Sequence, residues 1–155
     1  MFKLKDTYNL VEKLNKIFME EVNRKIVLFD DVIPFLTLLK NKNIGIAIIT
    51  NGPSDGQREK ISSLELYNFT NNIFIAEEIG FSKPNIKIFN HVLKTLRISC
   101  NEAIMIGDNY EQYYMGAKKA NINSLLIDRF GNYSNKLSCN KINNLSDINT
   151  KFELK

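Results

Sequence analysis

The sequence predicts an α/β fold, in which a parallel sheet is flanked by helices. Short apolar runs of strand length recur along the chain and alternate with amphipathic segments of helical spacing. Several of these runs stop at polar turns, as strands of a parallel sheet do at their carboxyl ends. With 155 residues, the chain is long enough for one domain with a substantial core.

Apolar residues at helical spacing predict a first helix over residues 10–22 and a second over residues 32–39. Asp30 or Asp31 is suited to cap the second helix. The run over residues 26–29, directly before these aspartates, is also short and apolar, as a strand would be. Instead of leading into a capped helix, residues 26–29 could therefore form a strand that ends in an aspartate.

The remaining elements follow in alternation. Strands are predicted over residues 44–49, 72–76, 103–106, 123–128 and 141–145, and helices over residues 57–66, 85–96 and 111–120. The strand over 103–106 is expected to be buried on both faces. Residues 77–84 are predicted as a loop, residues 131–140 as a surface loop, and Ser146 as the cap of a terminal turn.

Charge and composition exclude several classes of function. The net charge is +4, and the lysines are scattered without a basic block, so the sequence does not favour nucleic-acid binding. No apolar run reaches the length of a membrane span, and the first residues lack the apolar centre of a signal peptide, which predicts a cytoplasmic protein with no membrane partner. Cys100 and Cys139 are expected to be free thiols, with a disulfide as the alternative.

Three chemically active side chains stand at the ends of predicted elements. Thr50 follows one strand, Lys83 precedes a helix, and Asp108 follows another strand. A hydroxyl, an ammonium group and a carboxylate at one sheet edge suit phosphoryl transfer with Mg²⁺. Each also has a plain structural reading, as a turn hydroxyl, a solvated cation and a helix cap respectively.

Three segments carry a resemblance to a known family. IAIITNG with Thr50, EEIGFSKPNIKIF with Lys83 and IMIGDNYEQYYMGAKKANI with Asp108 resemble, in this order, the second, third and fourth motifs of the haloacid dehalogenase (HAD) superfamily. The resemblance covers about residues 30–148 and is strongest to its nucleotidase-like and phosphoglycolate phosphatase-like members. It implies a Rossmann-like core.

The same resemblance implies site roles. Thr50, Asn51 and Gly52 would bind the phosphoryl group. Lys83 would steady the phosphate and the nucleophile, and with Thr50 it would count as catalytic. Asp108 would ligate Mg²⁺.

The sequence departs from the family pattern in two ways. The family attacks phosphate with the first aspartate of an Asp-x-Asp motif on the central strand, and residues 1–155 contain no Asp-x-Asp. The family usually has a second carboxylate five residues after Asp108, where this chain has Tyr113. Tyrosine supplies no carboxylate ligand, so a weakened Mg²⁺ site is expected.

The absence of an Asp-x-Asp motif also predicts the domain organisation. We expect residues 1–29 to be the remnant of a helical cap and residues 30–155 to form the core. The central strand would then be missing or replaced, between the strand that ends at Thr50 and the strand that ends near Asp108. The gap could be filled by residues 26–29, by a strand of another chain or by closure, and its open edges would favour self-association.

The predicted function is that of a HAD-like, Mg²⁺-dependent phosphatase acting on a small phosphorylated metabolite. Because the nucleophile motif is absent, we expect an N-terminally truncated or degenerate form that is inactive alone. The alternative is a non-catalytic module that binds a phosphorylated ligand or a partner protein.

Overall fold

The computed structural model describes residues 9–11, 13, 14, 17, 21, 25–135 and 138–148. Strands and helices alternate along the chain, as predicted. The strands are β1 (Ile48–Thr50), β2 (Ile73–Ile75), β3 (Ile104–Gly107), β4 (Asn123–Ile127) and β5 (Lys141–Ile142). The helices are α1 (Val32–Asn41), α2 (Ser54–Ser63), α3 (Ala76–Ile79), α4 (Ile86–Leu96) and α5 (Gly116–Lys119), and a π-helical segment (Tyr110–Met115) leads directly into α5.

All strand pairs are parallel, which confirms the predicted fold class. β1 pairs with β2, and β4 pairs with β3 on one side and β5 on the other. These two groups of strands share no ladder in the part of the chain that the structure describes. The N–H group of Ile48 donates to the carbonyl of Asn72 at 2.9 Å, so the neighbouring Ile49 directs its own peptide groups away from β2. β1 and β3 therefore each have one edge without a strand neighbour among the described residues.

Residues 26–29 do not fill this gap, because they have no regular secondary structure. Self-association through the open edges stays a prediction. The division into a cap remnant and a core also stays a prediction, because much of residues 1–24 lies outside the described residues. Within the predicted first helix, the described residues are helical, but their apolar side chains Leu10, Val11, Leu14 and Ile17 are about half exposed.

The core lies on both faces of the β3–β4–β5 sheet. On one face, Ile88 and Phe89 of α4 pack with residues of α5, and Met105 of β3 packs against them. On the other face, Leu125 and Ile127 of β4 pack with side chains that include Phe35 of α1, Ile142 and Ile148. Alternate residues of a strand point to opposite faces, so β4, which is covered on both, is the central strand of this sheet.

The structure corrects several predicted boundaries. Residues 44–47 precede β1 as coil. The short helix α3 takes in the last residue of the predicted strand over 72–76 and the first three residues of the predicted loop over 77–84. β3 is not buried on both faces, since Ile104 is 41% exposed. The predicted helix over 111–120 begins as a π-helix, in which the carbonyl of Asn109 accepts from the N–H groups of both Tyr113 and Tyr114. Ser146 is not the cap of the last turn, because Asn144 occupies that position.

Asp31 has a different role from the one that its position suggests. It stands at the N-cap of α1 but makes no side-chain capping bond. Its carboxylate instead accepts from Arg129 at 2.8 Å and from the N–H group of Leu145 at 2.7 Å. Burial opposes the charged form, but these hydrogen bonds outweigh it and lower the pKa of the Asp31 carboxyl. Asp31 therefore ties the start of α1 to the loop after β4 and to the last turn.

Cys100 and Cys139 are not joined by a disulfide, as expected. Among the described residues, no helix is long and apolar enough to cross a membrane.

Candidate phosphate-binding site

The candidate site begins where β1 ends. Thr50 is the last residue of β1, and its hydroxyl donates to Oε1 of Gln57 at 2.5 Å. Gly52 follows with φ of +116°, a backbone conformation that side-chain-bearing residues rarely adopt. The amide of Gln57 covers this glycine, because a Cβ on Gly52 would lie 3.1 Å from its Nε2 atom. Gln57, in the first turns of α2, thus holds the turn after β1 in place.

Asn51 joins this turn to the loop that carries Lys83. Its Nδ2 group donates to the backbone carbonyl of Lys83 at 3.0 Å, and its Oδ1 atom accepts from the Lys83 N–H group at 3.0 Å. The same Nδ2 group contacts Oε1 of Gln112 at 3.3 Å. Three segments that are distant in sequence therefore meet at a single asparagine side chain.

Lys83 is buried, with 3% of its surface exposed. Its ammonium group donates to the carbonyl of Ile49, on the edge of β1 that lacks a strand neighbour. It also lies 4.1 Å from the ring centroid of Tyr113, which is cation–π geometry. Burial lowers the pKa of Lys83 to about 7, although the negative charge of Asp108 opposes this shift. Near neutral pH this amine is therefore poised between its charged and neutral forms.

Asp108 follows β3 and is exposed. Its charge acts on the ammonium of Lys83 and on the phenol of Tyr113, whose pKa is raised by burial and further by Asp108. The Tyr113 ring lies directly on Gly107, since a Cβ there would come within 2.4 Å of its Cγ atom. The carboxyl ends of β1 and β3 thus come together at Lys83, and the region between these two strand ends is here called the hollow.

A second polar cluster lies beside this hollow. Glu77 accepts from the backbone N–H group of Ser54 at 2.7 Å, and Glu78 accepts from two nitrogens of Arg58 at 2.7 and 2.8 Å. Hydrogen bonds from Arg58 and Ser54 lower the pKa of Glu78. This cluster is exposed, so its net effect on stability is small, but it fixes the start of α2 against α3.

Asp108 is the carboxylate of this site that suits Mg²⁺. No group of three His, Cys, Asp or Glu side chains with metal-binding geometry occurs among the residues that the structure describes. Tyr113 stands at the position of the expected second carboxylate. The exposed carboxylate of Asp108 fits as one ligand of an ion that takes its other ligands from water and phosphate oxygens, a common arrangement for Mg²⁺.

The structure brings together the residues that the sequence singled out. Thr50, Asn51, Lys83 and Asp108 all border this hollow, although their chemical roles remain predictions. Sequence reasoning missed Gln57, Gln112 and the contact of Tyr113 with Lys83. The signals were weak: Gln57 lies seven residues after Thr50 in the following helix, and Gln112 follows the capping residue Asn109 by three.

This architecture defines a class of protein: a parallel α/β fold with a cluster of polar side chains at the carboxyl ends of its strands. The sequence model of the haloacid dehalogenase-like hydrolase family matches residues 1–127, which is most of the chain. The chain belongs to this family.

Curated relatives agree with this assignment, and a solved structure shares the fold. The chain is 30% identical to phosphoserine phosphatase of Thermus thermophilus over 117 residues, covering 76% of this chain and 47% of that protein. It is 37% identical to glyceraldehyde 3-phosphate phosphatase of Pyrococcus furiosus over 100 residues, covering 63% and 41% respectively. The fold matches the HAD-hydrolase YfnB of Bacillus subtilis with a TM-score of 0.81 at 21% identity, over 92% of this chain and 63% of that one. The chain spans less than half of the length of these two curated relatives.

Proposed function

We propose that this chain carries the phosphate-handling residues of a Mg²⁺-dependent phosphatase that acts on a small phosphorylated metabolite. Two similar proteins are named as phosphatases of phosphoserine and of glyceraldehyde 3-phosphate, which supports the substrate class. The single observation that carries the proposal is the position of Lys83, whose buried ammonium group is held at the carboxyl end of the strand bearing Thr50.

In this proposal the turn after β1 holds the phosphoryl oxygens. The backbone N–H groups of Asn51 and Gly52 supply neutral donors in a preorganised turn, and the hydroxyl of Thr50 joins them when it turns away from Gln57. The side-chain amide of Asn51, whose hydrogens go to the Lys83 carbonyl and to Gln112, keeps that turn in shape. The ammonium of Lys83 supplies positive charge where negative charge builds in phosphoryl transfer. Gln57 and Gln112 keep Thr50 and Asn51 in position through the hydrogen bonds described above.

Asp108 is the carboxylate that would hold Mg²⁺ beside a bound phosphate. A bound Mg²⁺ would supply charge neutralisation at the phosphate oxygens. With Tyr113 in place of a second carboxylate, we propose that this site holds the ion weakly unless a phosphate is present to share it.

The chain's own residues offer no evident phosphate nucleophile. Residues 1–155 contain no Asp-x-Asp, and the carboxylate of Asp31 is engaged with Arg129 and Leu145. We therefore propose that these residues bind phosphate and hydrolyse phosphate esters weakly or not at all by themselves.

The experiment measures inorganic phosphate binding by calorimetry, with and without Mg²⁺, for the unmodified protein and two variants. Lys83→Met should lose most of the affinity, because it removes the only positively charged side chain that the proposal places on the phosphate. Lys87→Met is the matched control: Lys87 is exposed and also lies over an aromatic ring, at 4.8 Å from the centroid of Phe81. Equal affinities of the Lys83→Met variant and the unmodified protein would refute the proposed site.

A second candidate function is a non-catalytic module that binds a phosphorylated ligand, which the lack of an Asp-x-Asp in residues 1–155 favours. The two candidates differ in their response to a synthetic apolar strand peptide that ends in Asp-x-Asp, designed to pair with the open edges of β1 and β3. Turnover of a generic phosphate ester with this peptide, and not with an Asn-x-Asn peptide, would support the phosphatase. Phosphate binding that never leads to turnover would support the binding module.

A further inference from the structure

The ammonium group of Lys83 is enclosed by its own protein. Only 3% of the residue is exposed, so an anion in solvent has almost no direct access to it. The partners that the structure gives this ammonium are the carbonyl of Ile49 and the ring face of Tyr113. The first partner belongs to a strand of the sheet, whereas the second is a side chain that can change its rotamer.

Tyr113 is held over Lys83 by local packing. Its ring sits on Gly107, where the missing Cβ leaves the space that the ring occupies. Its backbone lies in the π-helical segment, where the carbonyl of Asn109 accepts from two successive N–H groups. A π-turn places its residues differently from an α-turn. The sequence position of Tyr113 and this turn together put an aromatic ring against the ammonium group of Lys83.

We propose that Tyr113 covers Lys83 and controls the access of phosphate and other small anions to its ammonium group. This inference rests on the proposed function, since it concerns the same hollow. Tyr113 is a positioning residue here, because it acts on the anion through Lys83. An anion reaches the ammonium when the ring moves off it, and the ring returns when the anion leaves.

The physical basis is competition for one cation. The ring face attracts the ammonium through the quadrupole of its π system, and this attraction is lost when the ring swings away to admit an anion. Removing the ring removes that cost from anion binding. Tyr113→Ala should therefore bind inorganic phosphate about tenfold more tightly than the unmodified protein. Tyr113→Phe keeps the ring face and should stay within about twofold.

A second measurement tests, without any phosphate, whether the Tyr113 ring covers Lys83. Acylation of lysines with acetic anhydride, followed by peptide mass spectrometry, reports how accessible each amine is. At about pH 11, where lysine amines are largely neutral and protonation no longer limits acylation, Lys83 of the unmodified protein should react roughly tenfold or more slowly than the exposed Lys87, because reaction requires local opening. Tyr113→Ala should bring the two rates close together, and Tyr113→Phe should restore the protection.

Tyr110→Ala is the matched control. Tyr110 lies in the same π-helical segment, but its ring stacks on Tyr114 at 5.5 Å and lies 6.1 Å from the ring of Tyr133. Its removal should leave Lys83 protected. If Tyr113→Ala does not fold, as judged by circular dichroism, Gly107→Ala serves instead, because its added Cβ forces the Tyr113 ring to move.

The outcomes separate this inference from the proposed function. Lys83 could lose its protection in Tyr113→Ala while no variant binds phosphate. That result would support the covering of Lys83 by Tyr113 and refute the phosphate site. If Lys83 reacts as fast as Lys87 in the unmodified protein, the proposal that Tyr113 covers Lys83 is overturned. Weaker phosphate binding by Tyr113→Ala than by the unmodified protein would also overturn it, because the ring would then be holding the ammonium in its binding position.

Discussion

Anion binding by this protein should weaken as the pH rises, because the buried amine of Lys83 loses its proton near neutrality. Burial sets its pKa at about 7, so the amine is mostly charged below that pH and mostly neutral above it. The charged fraction is about nine tenths near pH 6 and about one hundredth near pH 9. If binding requires the charged form, the measured dissociation constant is the intrinsic value divided by that fraction. It should therefore rise about 100-fold between about pH 6 and about pH 9.

Sulfate is the suitable probe, because it remains a dianion throughout this range, whereas phosphate itself titrates near neutrality. Calorimetry at several pH values gives the dissociation constant directly. Above about pH 7 its logarithm should increase by roughly one for each pH unit. The Lys83→Met variant should bind sulfate weakly and with no such slope, and Lys87→Met should follow the unmodified protein.

Two results would refute this reasoning. A dissociation constant that stays constant across the range would show that the ammonium of Lys83 does not contact the anion. The same slope in Lys83→Met would show that a different group titrates. In either case the buried lysine would be a structural feature of the β1 edge, where it satisfies the carbonyl of Ile49.

The other predictions concern stability and local packing. Asp31→Asn should lower the free energy of unfolding by about 2–3 kcal/mol, because it weakens the largely buried ion pair with Arg129. As a control, Asp30→Asn should change it by less than about 0.5 kcal/mol. Urea titrations measure both values. The pKa of Asp31 is lowered on folding, so its contribution should be complete above the unfolded pKa of about 3.9 and should disappear as the pH falls through the folded value. An acid-unfolding midpoint that does not differ between Asp31→Asn and the unmodified protein would contradict this. Gly107→Ala should lower the free energy of unfolding by about 1–3 kcal/mol, because the new Cβ meets the Tyr113 ring. Gly45→Ala, whose new Cβ would have nothing within 4 Å, should lower it by less than about 0.5 kcal/mol. Equal melting temperatures for the two variants would show that the ring moves at no cost.

The fold class and the residues around the hollow were predictable because their signals are local. The apolar run that includes β1 and the polar turn after it are contiguous in sequence, and so are the run of β3 and Asp108. Carboxyl ends of parallel strands meet at one sheet edge, so a strand pattern is enough to place Thr50 and Asp108 near each other. Tyr114 and Ala117 are three residues apart, as neighbours on one helix face are, and both are buried, at 2% and 0% exposure.

Details that depend on contacts between distant segments were not predictable. Asp31 looked like a helix cap, because a capping residue is recognised from its neighbours in sequence. Its actual partner, Arg129, lies 98 residues away, and nothing in the sequence near Asp31 indicates it. Gln57 and Gln112 could not be distinguished from ordinary surface glutamines for the same reason.

By itself, the sequence determined the order of strands and helices and which polar residues stand at the strand ends, because hydrophobic periodicity and turn residues act over a few neighbouring positions. Only the tertiary structure decided what surrounds Lys83. Lys83 meets the carbonyl of Ile49, the ring of Tyr113 and the charge of Asp108, and these groups come from β1, the π-helical segment and the turn after β3. The electrostatic state of the lysine follows from these surroundings, because burial, rather than residue type, sets the cost of its charge.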